Sequence, residues 1–156
     1  MRNPIVFLLS LFLLSTGYAG LPSQMQAMGE KYILVDPHIN AWGAYDENGT
    51  LVRSGVASTG KNWCPDIGRP CRTHTGSYRI YYLGDSDCIS TRFPIPNGGA
   101  PMPYCMYFNG YQALHGSPNV GRAHLSHGCV RMHTDDARWL RFNFAEEGTL
   151  VIIRPY

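Results

Sequence analysis

Apolar residues along this chain fall mostly in short runs separated by turn residues, the arrangement of a β-rich domain. Lys31 to Asp36 contains Tyr32-Ile33-Leu34-Val35 and is predicted to be a strand, as are Ile39 to Tyr45 and Leu51 to Ala57. Between the last two, Asp46-Glu47-Asn48-Gly49 supplies an Asn-Gly turn and so predicts a hairpin. Ser77 to Leu83, rich in Tyr and Ile, reads as a further strand. Tyr104 to Phe108 and Tyr111 to His115 form a second predicted hairpin around Asn109-Gly110. Within Thr149 to Arg154, the unbroken run Leu150-Val151-Ile152-Ile153 has the character of a buried final strand. A single stretch has helical spacing, with Ala137, Leu140 and Phe144 forming an apolar stripe beside Trp139. Thr134 is its expected N-cap, Asp135 and Asp136 suit its first turn, and Gly148 is placed to stop it. The pattern predicts a mainly β domain with one principal helix, and no internal repeat.

The first residues depart from this pattern. Met1-Arg2-Asn3 precedes an almost entirely apolar run, Ile5 to Leu14, and Gly17-Tyr18-Ala19 sets small residues where a signal peptidase reads. Residues 1–19 are therefore an expected signal peptide, cleaved after Ala19. The apolar run is too short to span a hydrocarbon core of ~30 Å. No later segment is apolar enough to do so, which leaves no expected transmembrane segment after cleavage. The remaining 137 of 156 residues suit a lead-in over 20–30 and one domain over 31–156. The chain has 13 basic and 11 acidic residues, and losing Arg2 lowers its formal charge from +2 to +1. With Lys and Arg unclustered, a nucleic-acid partner is not expected.

Cysteines change the picture most. There are five, at positions 64, 71, 88, 105 and 129. Export would place them in an oxidising compartment, where pairing is the default and an odd count leaves one thiol over. Four cysteines allow three connectivities. The simplest pairs Cys64 with Cys71 and Cys88 with Cys105, each flanking a Pro-containing loop, and leaves Cys129 free.

The surroundings of Cys129 suggest chemistry. Ala113 to Met132 reads Ala-Leu-His-Gly-Ser-Pro-Asn-Val-Gly-Arg-Ala-His-Leu-Ser-His-Gly-Cys-Val-Arg-Met. Cysteine catalysis needs a thiolate, a base to generate it, and donors for the oxyanion formed on the attacked carbonyl. Gly128, without a side chain, would let that carbonyl approach the backbone. His115, His124, His127 and His133 offer imidazoles, and one beside the thiol would favour the thiolate by charge pairing. His124, His127, His133 and Cys129 could alternatively ligate zinc, but they are too crowded for paired metal ligands, and no metal is expected. His38 and His74 read as structural or surface residues.

His115-Gly116-Ser117 followed by Ser126-His127-Gly128-Cys129-Val130-Arg131 resembles the signature of the L,D-transpeptidase (YkuD-type) catalytic domain family. Thr75-Gly76-Ser77-Tyr78 with Arg79-Ile80 resembles the family's Thr-Gly-x-Tyr segment, and Met102-Pro103-Tyr104 leading to Leu114-His115-Gly116 resembles the strands that carry its histidine. The likeness spans most of Lys31 to Tyr156. It implies a mixed β-sandwich with the helix packed after the cysteine strand. It also implies Cys129 as nucleophile, His115 as base and acid, and the Gly116 carbonyl as orienter of the His115 ring. Backbone amides of His127, Gly128 and Cys129 would form the oxyanion hole. Ser126 and His127 would line the site, and Arg131 would hold it together or meet a substrate carboxylate.

Fourteen positions separate His115 from Cys129, a short span for that family, so nothing is carried over for the loop from Pro118 to His124. The implied reaction is acyl transfer on peptidoglycan stem peptides in the periplasm or cell envelope of a bacterium, without a cofactor. Cys129 would attack the diamino acid carbonyl of a stem tetrapeptide, release D-alanine and pass the acyl group to an amine on another stem or a wall-attached protein. Water as acceptor would give an L,D-carboxypeptidase, and a free D-amino acid an exchange enzyme. A catalytically silent, disulfide-stabilised wall-binding module is the reading from another class; intact His115 and Cys129 argue against it.

Overall fold

The computed structural model describes residues 20–156; the expected signal peptide, residues 1–19, lies outside them. The strands, in chain order, are β1 (Tyr32–Asp36), β2 (Ala41–Tyr45), β3 (Leu51–Val56), β4 (Gly76–Arg79), β5 (Tyr82–Leu83), β6 (Met106–Asn109), β7 (Gln112–Gly116), β8 (Val130–Met132) and β9 (Leu150–Ile153). They form a five-stranded sheet ordered β3-β2-β1-β9-β4 and a four-stranded sheet ordered β5-β6-β7-β8. Both are mixed: β1 pairs parallel with β9, and β7 pairs parallel with β8, while the other pairings are antiparallel. The expected mixed, mainly β architecture is what the chain adopts.

Strand β1 is an unbroken apolar run because both of its faces are covered. Ile33 and Val35 enter the main core with Trp42, Ala44, Val151 and Ile153, where they meet Met106, Phe108, Leu114, Val130 and Met132 of the second sheet. Tyr32, Leu34 and Leu150 face the other way and pack with Tyr45 beneath Leu21 and Met25 of the lead-in. Each such buried aliphatic side chain contributes about 1.5–3 kcal/mol.

Both Asn-Gly turns are where the pattern puts them. Gly49 (φ +80°) and Gly110 (φ +54°) take left-handed conformations that an L side chain resists. Asp46 Oδ1 accepts from the amides of Asn48 and Thr50 at 3.0 and 2.8 Å.

The predicted strand Ser77 to Leu83 divides in two. Ile80 N–H donates to the Thr149 carbonyl beside the first sheet, and Tyr81 N–H donates to Tyr107 in the second. Buried Ile80 is thus the point where the chain crosses between sheets.

The helix also differs from expectation. Helix α1 (Thr134–Trp139) has His133 as its N-cap residue, without a side-chain cap bond, and Thr134 is its first helical residue. It continues as a π-helical turn over Leu140–Phe144 and ends at Ala145, which is extended. Gly148 (φ +90°) instead turns the chain into β9. The predicted stripe does face inward, with Ala137 and Leu140 buried and Trp139 packed at the margin. Among the described residues, no helix is long and apolar enough to cross a membrane.

Both local disulfides form, Cys64–Cys71 across 7 positions and Cys88–Cys105 across 17. By loop-closure entropy they destabilise the unfolded chain by about 2.5 and about 3 kcal/mol.

Candidate active site

Parallel pairing of β7 with β8 assembles the site. His115 lies opposite Arg131, and one step outside β8 the same register places Cys129 beside Ala113. Side chains two apart on a strand share a face, so His115, Arg131 and Cys129 lie on one face while Leu114, Val130 and Met132 enter the core behind them. All three line a cavity of about 300 Å³, with Ser126, His127, Phe93 and Met102 on its walls. A shallower cleft of about 780 Å³, lined by Tyr81, Tyr82, Tyr107 and Tyr111, holds neither Cys129 nor His115.

His115 is only 5% exposed. Its Nδ1–H donates to the Gly116 carbonyl at 2.8 Å, which leaves Nε2 as the acceptor in the neutral ring. Burial pushes this imidazole down to about 4, opposed by the Gly116 bond and assisted by the Arg131 charge. Burial likewise raises the Cys129 thiol to about 11, while the Ala113 backbone and Arg131 pull the other way. Burial thus favours the neutral form of both partners. Desolvation opposes the charge pairing between imidazole and thiol, and Arg131 offsets it only on the thiol. The Cys129 S–H donates weakly to the Tyr111 carbonyl at 3.5 Å.

Ser126 ties the cysteine turn together. Its hydroxyl donates to the Cys129 carbonyl and accepts from the Gly128 amide at 3.0 Å. Of the three amides expected in an oxyanion hole, that of Gly128 thus already has a partner. Gly128 itself has φ +126°, and a Cβ there would sit 2.9 Å from Gln112 Nε2 and 3.4 Å from the Tyr111 ring. Its missing side chain makes room for Gln112 and Tyr111.

Several supports were not singled out in the sequence. Gln112 is fully buried; its amide donates to the Arg72 carbonyl at 3.2 Å and accepts from the His74 amide and the Asn109 side chain, each at 3.1 Å. Ser58 pairs with the Arg131 backbone in both directions, and its hydroxyl bonds Gly121 N and O. Loop 118–124 is held there and where His124 Nδ1 meets Thr59 Oγ1 at 2.8 Å. Asp66, on the Cys64–Cys71 loop, accepts from His127 Nε2 at 2.7 Å.

The histidines considered as metal ligands disperse. His124 packs with its ring tilted against Tyr156, His133 precedes the helix and His127 meets Asp66. Cys64, Asp66 and His127 place ligand atoms within 4.8 Å of one another, but the Cys64 sulfur is committed to its disulfide.

Cys129 is the free cysteine among the described residues. Alkylation of the oxidised protein is therefore expected to label Cys129 alone. With the thiol raised toward 11, labelling should accelerate about tenfold per pH unit from neutrality upward. Peptide mapping at several pH values checks both points; label on Cys64, Cys71, Cys88 or Cys105 refutes the first, and a flat rate the second.

Residues 30–153 match the model of the L,D-transpeptidase catalytic domain. Among solved structures, the L,D-transpeptidase (residues 123–326) of Xylanimonas cellulosilytica is similar at 25% identity and a TM-score of 0.70, over 83% of this chain and 63% of that one. An L,D-transpeptidase of Mycobacterium smegmatis shares the fold at 21% identity and a TM-score of 0.62, over 81% and 59%. L,D-transpeptidase 3 of Mycobacterium tuberculosis, in complex with a faropenem-derived adduct, does so at 20% identity and a TM-score of 0.64, over 80% and 60%. The chain thus spans about three fifths of the solved chains that it matches. No curated protein matches it by sequence. With its sandwich, its matched residues and the strand pair that carries His115 and Cys129, the chain belongs to the L,D-transpeptidase (YkuD) catalytic domain family.

Proposed function

We propose that the protein is a peptidoglycan L,D-transpeptidase of the bacterial cell envelope, exported by its N-terminal segment, with Cys129 as nucleophile and His115 as base and acid. The observation that carries this reading is the diagonal placement of His115 on β7 and Cys129 one residue before β8, facing one cavity, with the His115 ring fixed at 2.8 Å by the Gly116 carbonyl.

In the first half-reaction, His115 Nε2 takes the thiol proton as sulfur attacks the carbonyl of the diamino acid's L-centre. The oxyanion is held by backbone amides of His127 and Cys129, while the Gly128 amide keeps Ser126 in place. The carbon–nitrogen bond breaks, His115 returns the proton to the departing D-alanine, and a thioester remains. Arg131, half-buried on the cavity wall, meets a substrate carboxylate. In the second half-reaction, an amine on another stem peptide or a wall-attached protein resolves the thioester. No step calls for a metal or organic cofactor.

Incubating the protein with disaccharide-tetrapeptide and identifying products by mass tests this. The expected products are free D-alanine and a cross-linked dimer. Tripeptide and D-alanine without any dimer would make water the acceptor and the enzyme an L,D-carboxypeptidase. Unchanged substrate with folded protein would remove the transpeptidase reading.

A further inference from the structure

We propose that Asp66 and His127 form a second carboxylate–imidazole pair in the site, which takes a proton from the amine acceptor in the second half-reaction. This rests on the acyl-transfer reading above and deepens it.

The arrangement is built from distant parts of the chain. Asp66 lies in the loop closed by Cys64–Cys71, and that loop is held beneath the cysteine motif, where Lys61 N–H donates to the Ser126 carbonyl at 3.0 Å. From there Asp66 Oδ2 reaches His127 Nε2 at 2.7 Å. Phe93 lies across the imidazole with ring centroids 4.7 Å apart. The ring is thus held at one edge and on one face. A carboxylate accepts only, so Nε2 carries the proton it shares with Asp66, and Nδ1 is the basic nitrogen of the neutral ring. Among the described residues Nδ1 makes no hydrogen bond, and His127 lines the cavity that holds Cys129.

Proton balance gives this pair a task. An aliphatic amine is mostly ammonium at neutral pH and must lose two protons to become an amide nitrogen. His127 Nδ1 takes the first, which frees the lone pair. The nitrogen attacks the thioester carbonyl, and a carbon–nitrogen bond forms. His115, neutral since D-alanine left, takes the second proton. The tetrahedral centre collapses, the carbon–sulfur bond breaks, and His115 passes its proton to the departing Cys129 sulfur. The thiol is regenerated with one proton; the other stays on His127 beside Asp66 until solvent removes it. His115 alone, 5% exposed and with one nitrogen committed to Gly116, has room for only one of the two.

The test compares the parent protein with Asp66→Asn and Asp66→Glu in separate half-reactions. Asp66 is exposed, so the changes spare the core. Formation of a carbapenem adduct reads acylation. Transfer from a stem tetrapeptide to a free D-amino acid reads the amine step, and transfer to hydroxylamine, largely unprotonated at neutral pH, reads a step that needs no first deprotonation. Asp66→Asn is expected to acylate at the parent rate, to transfer the D-amino acid about 10²-fold more slowly at neutral pH, and to transfer hydroxylamine at the parent rate. The deficit should close as pH rises and the amine deprotonates by itself, and Asp66→Glu should restore much of the transfer. Equal slowing with both acceptors, a pH-independent deficit, or parallel loss of acylation would each show a merely structural role and overturn the proposal. If the parent protein forms no adduct on Cys129, the transpeptidase reading itself fails, an outcome read from a different arm.

Discussion

His115→Ala is expected to lower turnover by about 10²–10⁴, nearly as far as Cys129→Ala, in protein whose fold is intact by circular dichroism. The size of the effect follows from the resting charges. With the thiol near 11 and the imidazole near 4, almost no thiolate exists at neutral pH, so attack must be coupled to proton removal. His115 is the base proposed for this, since Gly116 holds Nδ1 and leaves Nε2 to accept. His127→Ala should keep its acylation rate, because acylation does not pass through the imidazole, and lose turnover only in transfer to an amine. The pH profile gives an independent reading. Burial disfavours the imidazolium, so His115 is an active base above about 4 instead of above the ordinary ~6.5. Activity should therefore rise as pH climbs through about 4 and stay level through neutrality, and His115→Ala should lack that acid limb. A dead His127→Ala beside an active His115→Ala would reverse the two roles.

A carbapenem should add to the protein once per chain, on Cys129, and not at all to Cys129→Ala. Sulfur attack on the strained four-membered lactam resembles attack on the diamino acid carbonyl, but ring opening relieves strain and keeps the leaving nitrogen tethered. A cavity of about 300 Å³ is at the small end of the range for drug-sized ligands, which favours a compact bicyclic drug. Penicillins, by the family resemblance, should acylate more poorly. Intact-protein mass before and after the drug decides the matter. An equal adduct on Cys129→Ala would place the nucleophile elsewhere.

Much of this site was legible in the residues because its central parts are close in sequence. Odd cysteine count set Cys129 apart, and His-Gly followed by Ser-His-Gly-Cys-Val-Arg pointed to a thiol with an imidazole partner. The Asn-Gly turns were legible for a local reason: positive φ is cheap for glycine and costly for other residues. The split of Ser77 to Leu83 was not, since an apolar pattern shows which residues are buried but not which sheet receives them. Helix capping at His133 and the π-helical turn over Leu140–Phe144 follow from packing onto the core, which overrides local preference.

By itself, the sequence determined the mainly β character, the two turn-closed hairpins, the helix that follows the cysteine motif, and the candidate nucleophile and base. These depend on periodicity, on backbone freedom at single positions and on residue types a few places apart. Tertiary structure alone decided the register that sets Cys129 diagonal to His115, the burial that favours the neutral form of each, and the surroundings of His127. Asp66 stands 61 positions before His127 and joins it only because the Cys64–Cys71 loop folds beneath the motif. Gln112 fills the space that Gly128 leaves open for a similar reason. Burial and electrostatics depend on neighbours brought together from across the chain, and local sequence does not specify those neighbours.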